Sequence, residues 1–216
     1  MKKMKRLFVA FYRDFIKYPF YLLIHPINGF YEMQRYEKGL IRVATFYLIL
    51  ESTIGILQYR YTGFLFNPFN AARFNYIRQV FVTLSPYAIF IVANWAITTL
   101  MDGKGRMKDI YNVVGYALFM KVILSLINIV LSNFMTETEA FFYYGIESLG
   151  YFIMIAMTFV GMLVVHEYTL LKAVFTVGLT FVSAGVILFI GLLSFSLIQQ
   201  VYVFFVTIYR ELILRL

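Results

Sequence analysis

Four polar side chains stand in surroundings that give them no obvious partner. Glu51, Lys121, Asn94 and Asn128 each lie inside a long run of otherwise apolar residues. A carboxylate and an ammonium placed there can neutralise each other, relay a proton or line an ion path, and the amides can supply hydrogen bonds beside them. A second group, Asp102, Lys104, Arg106, Lys108 and Asp109, is interleaved with Gly103 and Gly105. Flexible glycines beside basic side chains can present backbone N–H groups to a phosphate, a lipid headgroup or a partner protein. The segment lacks the Walker spacing with its final Gly-Lys-Ser/Thr, and its acids do not follow the calcium-loop template. A tight turn is the simpler reading, with Gly103 ending one helix and Asp109 near the start of the next.

His166-Glu167 matches the first half of a His-Glu-x-x-His zinc helix, but Leu170 stands where the second histidine belongs and the other histidine is His25. The chain has no cysteine, which excludes disulfides, thiolate catalysis and cysteine-ligated metals. No nucleophile–base set is visible. The sequence therefore predicts no catalytic residue, no metal and no cofactor.

The elements that carry these residues follow from composition. Of 216 residues, 62% are hydrophobic and 14% charged, whereas soluble domains have roughly 45–50% and 25%. A core of this size cannot hide so much apolar surface, but lipid accepts helices that are apolar all round. The expected fold class is all-α: a polytopic membrane bundle of five transmembrane helices with an N-terminal interfacial amphipathic helix. Residues 1–40 form the N-terminal segment, 41–198 the membrane domain and 199–216 an interfacial tail.

Within the first segment, Leu7, Phe8, Phe11, Tyr12 and Phe15 fall on one helical face, with Arg13, Asp14 and Lys17 turned away. Lys2, Lys3, Lys5 and Arg6 add attraction to anionic headgroups. Pro19, Pro26 and the turn signal Asn28-Gly29 forbid one continuous span over 18–30. The first apolar run is too short for a secretory signal. The spans are expected at 41–59, 80–101, 110–132, 148–165 and 173–198. The charge-free stretch 173–209 is too long for one crossing and too short for two, so Gln199-Gln200 is taken as the boundary. Gly178 and Gly185 share a face of the fifth span and would allow close helix approach or dimerisation.

Orientation follows the Lys and Arg bias. With the N-terminus in the cytoplasm, the inner segments collect most of the bases, while the loop at 133–147 carries Glu137, Glu139 and Glu147 with none. The net charge of +8 thus reflects topology and lipid contact. Nucleic acid is not an expected partner. The alternating aromatics and bases Arg60, Phe64, Phe66, Phe69, Arg73, Phe74, Tyr76 and Arg78 suit a headgroup belt.

His25-Pro26, Gly29-Phe30 and Glu37-Lys38-Gly39 directly before the first span resemble the entry into the Yip domain, whose eukaryotic members are named Ypt/Rab-interacting proteins. The block from Asn94-Trp95-Ala96 through Asp102-Gly103-Lys104-Gly105 to Asp109-Ile110-Tyr111 is similar to the segment joining spans two and three of bacterial members. The resemblance covers roughly 20–205. It implies five spans, a cytosolic N-terminus and no enzymatic activity. Eukaryotic members carry a longer N-terminal region, so the resemblance is to the bacterial type, in a plasma membrane.

Glu51 and Lys121 each lie about 15–17 Å into their spans from the same side, near the midplane. They are expected to face each other or a shared polar cavity, with Asn94 and Asn128 as neighbours. A helix-locking ion pair is the plain interpretation of such a site. The functional expectation is a non-enzymatic scaffold or partner-binding membrane protein using loop 102–109. A small transporter, channel or permease subunit with Glu51 and Lys121 in its pathway is the alternative. Partners are anionic lipid, a membrane protein or a second copy.

Overall fold

The computed structural model describes residue 9, residues 11–67 and residues 74–215, with side chains to residue 213. The basic cluster Lys2, Lys3, Lys5 and Arg6, the apolar residues Leu7 and Phe8, and Phe69 and Arg73 lie outside these. Among the described residues, these α-helices follow in chain order: α1 (Tyr18–Ile24), α2 (Pro26–Arg35), α3 (Ile41–Tyr61), α4 (Tyr76–Leu100), α5 (Met107–Leu131), α6 (Ala140–Val165) and α7 (Leu170–Arg215). Five, α3 to α7, are long and apolar enough to cross a membrane. No strand occurs among the described residues.

α5 is the central helix. Ile110, Val113, Ala117, Leu118 and Val122 are almost fully enclosed, packed between α3 on one side and α6 on the other. α4 leans on α3, and α7 lies against α4 with a smaller contact to α6. In lipid, close approach gains dispersion where residues are small. Gly115 of α5 lies directly against Ala44 of α3, and Gly161 of α6 against Val113 of α5. By contrast, a side chain added at Gly178 or Gly185 would meet open space. The anticipated close approach at those two glycines does not occur within this chain.

The N-terminal segment is docked on the bundle. The backbone breaks at His25 (φ −123°, ψ 66°), where Pro26 opens α2, in keeping with the residue before proline avoiding helical geometry. Asn28-Gly29, expected as a turn, instead lies inside α2; with Pro26 supplying the break, nothing requires a second one there. α2 buries Phe30 and Met33, and Gln34 Nε2 donates to the carbonyl of Val165 at 2.8 Å. Phe11, Phe20, Ile24 and Ile27 stay exposed.

Two helix ends differ from the span limits read in the sequence. Glu147, assigned to a loop, is in the second turn of α6, because the helix starts at Ala140 after a capping box of Thr136 and Glu139. Beyond Gln199-Gln200 the helix continues into the tail: α7 is one helix of 46 residues, about 69 Å at 1.5 Å per residue, more than one crossing of about 30 Å of hydrocarbon requires. Glutamine is a good helix former and ends nothing.

Candidate functional site

Lys121 Nζ of α5 and Glu51 Oε1 of α3 form an ion pair, with both side chains no more than 4% exposed. Around it, the Tyr87 hydroxyl from α4 donates to Glu51 Oε1 at 3.4 Å, and the Tyr151 ring of α6 lies 5.0 Å from the ammonium. Four spans thus meet at one charge pair. The second carboxylate oxygen of Glu51, Oε2, has no hydrogen-bond partner.

The pair opens a polar stripe along α5. Lys121, Ser125, Asn128 and Ser132 recur at helical spacing and are all buried. Ser125 Oγ donates to Glu147 Oε1 and Oε2 at 3.1 and 3.3 Å. Asn128 Nδ2 donates to the Tyr143 carbonyl at 3.1 Å and to Glu147 Oε2 at 3.4 Å. Ser132 Oγ accepts the backbone N–H of Gly63 at 2.9 Å. Asn128 therefore serves Glu147, one and two turns beyond the pair. Asn94 is engaged elsewhere: its Nδ2 donates to Thr180 Oγ1 at 3.0 Å and ties α4 to α7.

The charged loop forms a second cluster, at the end of the bundle where α1 and α2 pack. Asp102, not Gly103, takes the left-handed conformation after α4, at φ 54°. Gly103 is needed for space instead: a Cβ would come within 2.6 Å of His166 Nδ1 and 2.7 Å of the Tyr168 hydroxyl. Asp109 is buried and accepts from the Arg106 backbone at 3.0 Å, the expected helix start. Lys104 pairs with Glu167 at 2.5 Å, and Arg106 reaches Glu37 at 3.5 Å. Lys104 and Arg106 remain 64% and 60% exposed; Lys108 is half-buried.

Under this loop lies a residue whose role sequence reasoning missed. His166, for which the sequence reading went no further than rejecting a zinc helix, is 2% exposed. Its Nδ1 accepts the Gly105 backbone N–H at 3.2 Å, and its ring stacks on Tyr168. Burial lowers its pKa to about 4, against a smaller upward pull from the Asp109 carboxylate. Neutral imidazole is the form that accepts a hydrogen bond. Among the described residues, no three His, Asp or Glu side chains gather in a way that could hold a metal ion.

Chemically, the two clusters lock helices and present charge. The buried pair joins α3 to α5, and the loop clasp joins the α4–α5 turn to the end of α6. Comparison with curated proteins and with solved structures gives no match. The Yip1 domain family model matches residues 20–206, which includes α3 to α6, most of α7, the buried pair and the loop clasp. By that match, the chain belongs to the Yip1 domain family.

Proposed function

We propose that this Yip1 domain protein is a non-enzymatic membrane scaffold or partner-binding protein that presents loop 102–109 as its contact surface. The observation that carries this reading is the loop itself. It is held from three directions by His166, Glu167 and Glu37, yet Lys104 and Arg106 remain mostly exposed. An ordered charged surface loses little conformational entropy on binding. The Lys and Arg bias supports a cytoplasmic N-terminus, which puts this surface in the cytoplasm of a bacterial cell with its multi-pass chain in the plasma membrane. Cross-linking and affinity purification from native membrane test it. Neutralising Lys104, Arg106 and Lys108 should remove partners that the parent chain retains, and an unchanged partner set would contradict the reading.

A second reading, a small transporter or permease subunit, is favoured by one observation: Oε2 of Glu51, the carboxylate of the buried ion pair, has no hydrogen-bond partner. Proteoliposome flux separates the two. Flux abolished by Glu51→Gln would support transport, and identical leakage with and without protein would remove it.

A further inference from the structure

A cavity of about 540 Å³ lies among the membrane-spanning helices, lined from α4, α5, α6 and α7. Val114, Met162 and Val177 line one end of it. Val114 and Val177 are the eighth residues of α5 and α7, and Met162 is the fourth from the end of α6. This end therefore lies toward loop 102–109, which His166 ties to the end of α6. Pro86, Tyr87 and Phe152 line the other end, each close to the middle of its helix. The lining thus extends along the helices from one side to the centre of the bundle, within one half of a hydrocarbon core about 30 Å thick.

No charged side chain lines the cavity, and its two hydroxyls are already engaged. Tyr87 donates to Glu51 Oε1 at 3.4 Å, and Thr158 donates to the Met154 carbonyl at 2.8 Å. Pockets for polar small molecules keep a few placed polar groups that fix the ligand's orientation. This one offers neither a counter-charge nor a free donor. Its walls are aromatic, with the rings of Phe90 and Phe181 6.4 Å apart, and Met154 and Met162 add side chains that adapt to an irregular occupant. The rim faces lipid: α6 and α7 touch only slightly, and Phe152, Ile155 and Phe181 are exposed there.

We propose that this cavity holds one acyl chain of a resident phospholipid, entering between α6 and α7 from the leaflet on the side of loop 102–109. A linear, flexible ligand without polar atoms fits a lining that has none to spare, and a chain rooted at that surface runs in the direction the lining extends. The surface end also suits a phosphate. Lys172 stands five residues before Val177 on α7, about 7–8 Å nearer the end of the helix, and pairs with no carboxylate among the described residues. The chain would give the walls dispersion contacts and would join α7, which otherwise packs mainly on α4, to α6. The site concerns the spans and is independent of the loop surface proposed above.

The test joins two measurements on the full chain: native mass spectrometry after delipidation in mild detergent, and photo-cross-linking in nanodiscs by a phosphatidylglycerol with a diazirine midway along one acyl chain. The expected result is a single phospholipid retained per chain, with label concentrated on the stretches of α4, α6 and α7 that line the cavity. Ala156→Trp and Val177→Trp fill the cavity from its α6 and α7 sides and should each cut retention about tenfold. Leu188→Trp, on an exposed part of α7 outside the cavity, should leave retention unchanged. The labelling pattern is read on the parent chain, so it stands apart from any folding loss in the variants. Label spread evenly over the lipid-facing surface of all five spans would overturn the proposal. So would equal retention in Ala156→Trp and Leu188→Trp, or a cross-link showing that a second copy of the chain fills the cavity.

Discussion

His166 Nδ1 accepts the backbone N–H of Gly105 at 3.2 Å, so a histidine just past α6 holds the turn between α4 and α5. The bond needs an unprotonated ring nitrogen, and burial holds the pKa at about 4. In the unfolded chain a histidine titrates near 6.5. The folded state therefore binds fewer protons, and this contribution is fully present above about pH 6.5 and lost as the pH falls toward 4. Each tenfold difference in proton affinity between the two states is worth about 1.4 kcal/mol. Unfolding in detergent should show stability falling between pH 6.5 and 5 in the parent chain, and a flatter profile in His166→Asn, which keeps an acceptor. The carboxylates of Glu32 and Glu139 are held low by Lys38 and by the Thr136 N–H, so their losses come at lower pH. Parallel profiles for the two proteins would show that His166 does not titrate in this window.

The same clasp should be sensitive to volume. A Cβ at Gly105 would come within 2.5 Å of Val165 and 2.8 Å of His166, and overpacking of this kind costs about 1–3 kcal/mol. Gly103→Ala and Gly105→Ala should each expose the loop to protease while the spans stay folded. Unchanged cleavage kinetics would place the loop elsewhere in solution.

Glycines in the spans should divide by their surroundings. Gly115→Leu forces α3 and α5 apart at Ala44 and should destabilise the bundle by more than about 3 kcal/mol, because backbone lies in the way. Gly185→Ala adds a methyl into open space and should be neutral or stabilising, by up to about 1 kcal/mol. Equal losses at both positions would mean that α7 is covered along its Gly185 face, and chemical cross-linking would then identify a second copy there.

What the sequence disclosed follows from what lipid imposes. Spans are legible because a bilayer sets the length of an apolar run, and Glu51 and Lys121 could be paired because equal depth can be counted along two helices starting from one side. Glu147 was hidden by its neighbours: with Glu137 and Glu139 nearby it read as loop. Thr136 and Glu139 have the spacing of a capping box, and that signal would have started the helix early enough to include it. The end of α7 was not legible, since Gln199-Gln200 interrupts an apolar run without breaking a helix. His166 was hidden for a different reason. Its partner Gly105 is 61 residues away, and no local pattern reports a contact made only when two loops meet.

Removing one member of the buried pair should leave the other charge unmatched between spans. Glu51→Gln alone and Lys121→Met alone should each cost about 3–5 kcal/mol. A change at exposed Arg13, paired with its neighbour Asp14 at the surface, should leave stability close to that of the parent chain. Steric-trap unfolding in bicelles would rank the three, and a loss at Arg13 equal to that at Glu51 would deny the buried pair its special place.

The most direct test of the pair as a lock between α3 and α5 is a double-mutant cycle on Glu51→Gln and Lys121→Met in the same assay. The account predicts strong coupling, with the double variant recovering about 2 kcal/mol or more relative to the sum of the single losses. Additive losses would mean that the two groups do not share their charge, and would contradict it.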